Sequence, residues 1–309
     1  MRVNARRLIL TASATLCSLG LAMPLSAATV VDVETLVGTI TIELFEDQAP
    51  ATASRFLENV NAGVYNATMM HHAQGGMLRG GLFQYNSCSQ GPVEAAPGVR
   101  HALESTGLDN SFGTVALRRD PQNSNQISNE WQFNLANGVA DQDAGVEPVV
   151  FGRIISGMDV ADFIHTQNRI MMHGALPDVP TFNYPFTAYS CSAFDRDNVV
   201  FVFMSSREVV NVYDAQSDQI SLQVDAGEAG YLSLSFEIAS TAPNGVIRAL
   251  ADSVTILDSA VAGMATFDAE TGELTIPEFA MGNEVAFTNV VFTLTDSENL
   301  LFTLQSFDE

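Results

Sequence analysis

An alternating strand that leads into an amphipathic helix is the segment that most constrains the fold of this chain. Ile40, Ile42 and Leu44 alternate with polar residues, which predicts a strand with one buried and one solvated face. Pro50 then suits the first turn of a helix, and Gly63 suits its end. Between them lies an apolar stripe with i, i+3, i+4, i+7 spacing, which consists of Ala53, Phe56, Leu57 and Val60. The sequence therefore predicts a sheet with a helix packed against it.

The remaining apolar segments are short and mostly of strand type. Further strands are predicted at residues 113–117, 131–135, 149–155 and 198–204, and a second, short helix is predicted at 157–164. From about residue 207 onward, alternating runs are separated by turns that contain Asp, Gly and Asn, without a convincing helix. We therefore expect a mainly β protein, with one domain at residues 29–206 and a small all-β domain of unknown role at 207–309.

The charge balance excludes one class of partner. The chain has 13 basic residues, all of them arginine, against 36 acidic residues. Phosphate contacts need clustered cations, so we expect no nucleic acid as a partner.

The first 28 residues have the pattern of an export signal. Three arginines within the first seven residues precede an apolar run from Leu8 to Leu25, and small residues follow at 26–28. Cleavage after Ala28 would leave 10 basic and 36 acidic residues, a formal net charge of −26. We therefore expect an exported protein, periplasmic or secreted, without a membrane span in the mature chain. Cys88 and Cys191, the two cysteines left after cleavage, could pair in such an oxidising compartment.

Residues 65–81 carry the most chemically distinctive side chains of the chain. Met69, Met70, His71 and His72 are adjacent, and thioether and imidazole groups together suit copper(I). Packing explains them better, because a methionine can fill a core and adjacent residues of a strand point to opposite faces. The four side chains would then not converge on one ion. We therefore expect neither a metal nor a cofactor.

Four segments together resemble the cyclophilin family of peptidyl-prolyl cis-trans isomerases, in the right order and with similar spacing. They are GTITIELFEDQAPATASRFLENVNAGVYN, the pair Gly80-Gly81, the strand GTVAL and the run VVFGRIISGMDVADFI. The resemblance covers about Thr29 to Ser206. It implies a closed eight-stranded antiparallel barrel capped by two helices. It also implies an isomerase that acts on Xaa-Pro bonds in proline-containing polypeptides and needs no metal or cofactor.

The resemblance places the candidate catalytic groups at His72, Arg79 and Arg118. The family's Phe-His-Arg segment carries the catalytic arginine and matches Met70-His71-His72, so His72 stands at the position of that arginine. Arg79 stands where the family has glutamine, and Arg118 stands where it has a small residue.

The same resemblance assigns candidate substrate-binding positions to Met70, Met77, Glu130 and Gln132. Met77 keeps the family's groove methionine, while Glu130 and Gln132 fall in a segment where the family has Ser-Gln-Phe-Phe. Gln132 thus replaces an aromatic pocket floor. Two hypotheses remain: an isomerase of weak activity that uses one of the three candidate cations, or a catalytically inactive, cyclophilin-like protein-binding module.

Overall fold

The structure, a computed structural model, describes residues 28–87, 90–95, 101–120, 123–139, 148–172, 176–184, 194–215, 217–282 and 284–308. The described chain divides into two compact units, one formed by Val30–Arg207 and the other built on Glu208–Glu309. The predicted export signal, apart from Ala28, and both Cys88 and Cys191 lie outside the described residues.

The first unit contains fourteen strands and two α-helices in its described part. The strands are β1 (Thr29–Thr35), β2 (Gly38–Leu44), β3 (Thr68–Met69), β4 (His72–Gln74), β5 (Met77–Gly80), β6 (Phe83–Ser87), β7 (Gly91–Glu94), β8 (His101–Ala102), β9 (Thr114–Asp120), β10 (Asn123–Asn134), β11 (Val149–Ser156), β12 (Arg169–Met172), β13 (Leu176–Pro180) and β14 (Phe201–Glu208). The helices are α1 (Pro50–Asn61) and α2 (Met158–His165), as the apolar stripes and the turn signals predict.

The main sheet of this unit closes into a barrel. Its strand order is β3-β14-β1-β2-β11-β9-β10-β5-β4, with β8 joined to β10. The continuous segment 68–74 supplies β3 at one end of this order and β4 at the other, so the two ends of the sheet meet in one stretch of chain. The predicted closed, mainly β barrel with two helices is confirmed. The predicted number of eight strands is not confirmed, since the described sheet has ten strand segments.

Aromatic packing joins α1 to the barrel. Phe56 is fully buried, and its ring centroid lies 5.2 Å from that of Tyr65 and 4.7 Å from that of Phe151. In the same core, the ring centroids of Trp131 and Phe133 lie 4.8 Å apart. Apolar contact over such large side chains supplies most of the favourable free energy of folding.

The glycine pair after β5 is explained by Trp131. A Cβ on Gly80 would lie 2.6 Å from Cη2 of Trp131, and one on Gly81 would lie 2.6 Å from its Nε1. Gly81 also has φ +88°, a conformation that other residues rarely adopt. The backbone can approach the buried indole this closely only without side chains.

The second unit is all-β in its described residues, with two short 3₁₀ turns at Gly227–Ala229 and Ala251–Ser253. Its strands are β15 (Val212–Asp214), β16 (Gln219–Asp225), β17 (Tyr231–Ser240), β18 (Val246–Ala249), β19 (Thr255–Leu257), β20 (Ala265–Asp268), β21 (Glu273–Met281), β22 (Glu284–Asp296) and β23 (Leu301–Asp308). The sheet order is β15-β16-β20-β21-β22-β23-β18-β17-β19, and β16 also pairs with β17. The pairing of β16 with β17, the strands next to the two ends of this order, therefore closes a ring of strands. The ring surrounds an apolar core that includes Leu222, Phe236 and Phe292. None of the helices in the described ranges is long and apolar enough to cross a membrane.

Candidate active site

A β-bulge places two consecutive histidines on the outer face of the barrel. The His71 N–H donates to the Arg79 carbonyl at 3.0 Å, and His72 is also the register partner of Arg79. His71 and His72 thus both lie opposite Arg79, and two residues opposite one define a β-bulge. Met70 and Ala73, on either side, both lie in the barrel core. The predicted alternation of His71 and His72 between opposite faces is therefore wrong at this point.

A buried carboxylate lies at the centre of the outer face. Glu130, on β10, is 5% exposed and lies between two partners. Its Oε1 lies 2.8 Å from Nε2 of His71, and its Oε2 accepts a hydrogen bond from Nη1 of Arg118 at 2.5 Å. His71 is held further by an edge-on contact with Phe83, with ring centroids 4.9 Å apart. We call His71, Arg79, Arg118 and Glu130 the Glu130 cluster.

The electrostatics of this cluster keep the carboxylate ionised. Burial alone would raise the pKa of Glu130, but the hydrogen bond and charge of His71 and the charges of Arg118 and Arg79 outweigh it. The net effect lowers the pKa of Glu130 from 4.5 to about 2. Arg79 is itself 3% exposed and lies opposite both His72 and Gln132 in the sheet. The cluster therefore brings two guanidinium groups and an imidazole together around a single carboxylate.

A chain of amide side chains continues along the same face. Gln132 Nε2 donates to Asn134 Oδ1 at 2.6 Å, and Asn134 Nδ2 donates to Thr114 Oγ1 at 2.7 Å. Asn134 Nδ2 also donates to Asn110 Oδ1 at 3.1 Å. The Gln132 Oε1 atom is buried and has no hydrogen-bond partner among the described residues. An orphaned buried acceptor of this kind is uncommon and suits a ligand that brings an N–H group.

The predicted site residues do not all lie together. Arg79, Arg118, Glu130 and Gln132 share the outer face, where Met77 pairs in register with Asn134. His72 is on that side too, but it is directed to β13, with its Nδ1 3.8 Å from Asp178 Oδ2. Met70 is fully buried in the barrel core and lies apart from the others.

Three residues of the face were missed by sequence reasoning. The sequence predicts a strand position without a site role for His71 and no site role for Asn110 or Asn134. A signal for one of them was present, because Glu130, Gln132 and Asn134 occupy alternate positions and all three are polar. No comparable signal marked His71, since its position depends on the bulge. Among the described residues, no three His, Cys, Asp or Glu side chains are grouped to hold a metal ion.

Comparison with known proteins shows the same family that the motifs indicate. The family model for cyclophilin type peptidyl-prolyl cis-trans isomerases matches residues 30–201. A curated peptidyl-prolyl cis-trans isomerase of Acinetobacter baylyi is 34% identical over 161 residues, which cover 50% of this chain and 82% of the relative. The peptidyl-prolyl cis-trans isomerase A of Dickeya dadantii is 32% identical over 181 residues, which cover 56% and 91% respectively.

The solved structures similar to this chain include a cyclophilin type peptidyl-prolyl cis-trans isomerase of Cryptosporidium parvum, determined in the presence of the dipeptide Ala-Pro. It is 16% identical, has a TM-score of 0.40 and covers 58% of this chain and 99% of that chain. The family model, by contrast, matches more than half of the chain, and the curated relatives are matched over most of their length. The chain therefore belongs to the cyclophilin-type peptidyl-prolyl cis-trans isomerases.

Proposed function

We propose that the barrel unit isomerises Xaa-Pro bonds of exported polypeptides, with weak activity and with Arg118 of the Glu130 cluster as its cation. The observation that carries this assignment is the ion pair between Arg118 and the buried Glu130. The export signal predicted at residues 1–28 supports an extracytoplasmic substrate. The replacement of the family's arginine by His72 supports weak activity.

The chemistry requires a stabilised, twisted amide. Rotation about a peptide bond has a barrier of about 18–20 kcal/mol, and proline is the residue for which both isomers are commonly populated. The barrier falls when a cation or donor draws the lone pair of the prolyl nitrogen out of conjugation with the carbonyl. The reaction forms and breaks no covalent bond, so it needs a fixed charge and a binding surface.

Arg118 meets this requirement better than His72. A guanidinium is charged at every physiological pH, whereas an imidazole is charged mainly below about pH 6.5. The Glu130 carboxylate orients Arg118, whereas His72 is beside Asp178 on the side of β13. The Glu130 cluster contains two guanidiniums, so permanent cations are present beside the carboxylate whatever the protonation of His71.

The amide chain beside the cluster is suited to hold the substrate backbone. Gln132 Oε1 is buried and has no partner among the described residues, so it would accept from a peptide N–H next to the prolyl bond once substrate binding turns this side chain outward. Gln132 is the register partner of Arg79 on β5, so the acceptor adjoins the cations. A polar floor of this kind replaces the aromatic one of the family and would hold a proline ring less firmly, which is a second reason to expect weak activity.

The inactive binding module is the second candidate, and the burial of the cluster favours it. Arg79 is 3% exposed and the side chain of Arg118 is 11% exposed, so a substrate reaches little of either charge. In that case the barrel would bind proline-containing segments without accelerating their exchange.

Exchange NMR on a proline peptide with the intact protein separates the two functions. If the protein is an isomerase, it should accelerate cis-trans exchange, and the acceleration should fall at least about tenfold in Arg118→Ala, because loss of a charge-stabilising donor commonly costs this much or more. Arg79→Gln places at that site the glutamine of the family, and it should reduce the acceleration less than Arg118→Ala does. Arg153→Ala is the matched control, because Arg153 pairs with the buried Glu43 elsewhere on the barrel.

Two results would contradict the assignment. Saturable peptide binding without any acceleration would establish the binding module. If the acceleration is lost in His72→Ala and kept in Arg118→Ala, the catalytic cation is His72 and not Arg118.

A further inference from the structure

The sheet of the second unit has an edge strand, β19, that carries exposed apolar side chains. β19 pairs only with β17 among the described strands and is the last strand of the sheet order. Ile256, in its middle, is 82% exposed, the largest exposure of any large apolar side chain in the described residues. Val254, two residues earlier on the same side, is also exposed.

The register shows that this surface continues the core side of the sheet. Val224 on β16 opposes Leu232 on β17, and Leu232 opposes Ile256 on β19. Directly opposed residues of neighbouring strands share a face. Val224 is 4% exposed and belongs to the core, Leu232 is half-buried and Ile256 is almost fully exposed. The apolar face of the sheet thus continues onto β19, where it is exposed to solvent.

Acidic side chains surround this apolar strip. Asp252 precedes β19, Asp258 follows it directly, and both are exposed. Residues 208–309 contain 17 acidic residues and a single basic one, Arg248, which pairs with Glu237. An apolar strip flanked by two aspartates is complementary to a partner that carries apolar side chains between cations.

We propose that β19 is a docking edge for an extended, cationic segment of another polypeptide. The segment adds as a further strand next to β19, places an apolar side chain against Ile256 and Val254, and directs lysine or arginine side chains to Asp252 and Asp258. Strand addition to a sheet edge gives affinity through main-chain hydrogen bonds and specificity through alternate side chains. The edge lies in the second unit, and this proposal does not depend on the isomerase assignment.

The acidic rim disfavours two other occupants. A second copy would bring the same aspartates, and a chain with 36 acidic against 13 basic residues repels itself. An anionic membrane surface attracts basic segments and would repel this one.

Fluorescence anisotropy with the full chain tests the proposal. The probe is a labelled decapeptide that alternates lysine and isoleucine, and its comparison peptides carry glutamate for lysine or serine for isoleucine. We expect saturable binding of the first peptide alone. Ile256→Ser and the pair Asp252→Asn/Asp258→Asn should each weaken it by about tenfold, which corresponds to about 1.4 kcal/mol.

Matched controls separate local docking from general attraction to an acidic protein. Val93→Ser removes an exposed apolar side chain from the other unit, and Glu273→Gln/Glu284→Gln removes two exposed charges away from β19. Both control variants should bind the lysine-isoleucine peptide with an affinity within about twofold of the wild-type value. Equal weakening by the controls, or no binding of the lysine-isoleucine peptide, would overturn the proposal. A dimer in sedimentation that Ile256→Ser converts to a monomer would overturn it in favour of a second copy.

Discussion

The buried carboxylate of Glu130 pairs with the partly exposed guanidinium of Arg118 on the outer face of the barrel, with 2.5 Å between Oε2 and Nη1. The resemblance to cyclophilins identifies both residues as departures from the family, glutamate for glutamine and arginine for a small residue. Their contact shows that the two departures belong together. A guanidinium introduced at residue 118 is directed by a carboxylate introduced at residue 130.

Replacing Glu130 should cost more stability than replacing an exposed carboxylate. Glu130→Gln removes the buried carboxylate that pairs with Arg118 and that also lies in the field of Arg79, so the free energy of unfolding should fall by roughly 3 kcal/mol. Urea unfolding of the two proteins measures the difference. Glu58→Gln is the control, because Glu58 forms an exposed pair with Arg55 and should change stability by no more than about 0.5 kcal/mol. Equal effects of the two substitutions would show that Glu130 is not buried as described.

The same carboxylate should make stability depend on pH in acid. The folded protein lowers the pKa of Glu130 to about 2 from an ordinary value of 4.5. Between these values the unfolded chain binds a proton at Glu130 that the folded protein does not. The stabilisation is therefore present above about pH 4.5 and is lost as the pH falls towards 2, by at most about 1.4 kcal/mol per pH unit.

Unfolding free energies of the wild type and Glu130→Gln at pH 6, 4 and 3 isolate this contribution. The difference between the two proteins should narrow as the pH falls, because the substituted side chain does not titrate. A difference that stays constant over this range would rule out a lowered pKa for Glu130.

An arginine at position 72, where the resemblance aligns the family's catalytic arginine, should raise the activity. His72→Arg places a permanent charge on the bulge, beside Arg79 in register and near Asp178. We expect kcat/KM for a proline peptide to rise at least about tenfold, since a donor directed at developing charge commonly contributes this much or more. Gln74→Arg is the control, because Gln74 lies on the same strand, two residues further along. A rise in both variants, or in neither, would contradict a specific role for position 72.

The glycine pair offers a test of the packing behind the site. Gly80→Ala would push a methyl group into the indole ring of Trp131, which is fully buried and cannot move aside freely. Overpacking of this kind should lower the free energy of unfolding by about 1–3 kcal/mol. Gly138→Ala is a useful comparison, since nothing lies within 4 Å of its added Cβ and only its φ of +67° opposes the change. Thermal unfolding should show the larger loss for Gly80→Ala, and the reverse order would refute the close approach.

Regular elements of the barrel could be predicted where burial follows their periodicity. Ala53, Phe56 and Val60 are buried along α1, as the apolar stripe predicts. In β2, Ile40, Ile42 and Leu44 are buried, but the polar residues between them are buried too, so the solvated face predicted for this strand is wrong. The separate β character of residues beyond 207 was predicted in the same way, from alternating runs between turns. A repeated hydrophobic pattern specifies an element locally, whatever the rest of the chain does.

The site was harder to predict, because its contacts join residues that are far apart in sequence. His71 and Glu130 are 59 residues apart, and they meet because β5 lies between β4 and β10 with a defined register. The expectation that one of the two histidines points into the core is wrong because the strand is not regular there. Alternation holds for a regular strand, and a single bulge displaces the pattern by one residue.

The sequence alone indicated the family, both helices, several of the strands and the acidic balance of the chain, since motifs and composition are local properties of the chain. Only the tertiary structure decided that His71 accompanies His72 on the outer face, that Met70 belongs to the core and that Glu130 binds Arg118. Likewise, it decided that Ile256 lies uncovered at a sheet edge. These are properties of strand pairing and closure, which depend on every strand of the sheet at once.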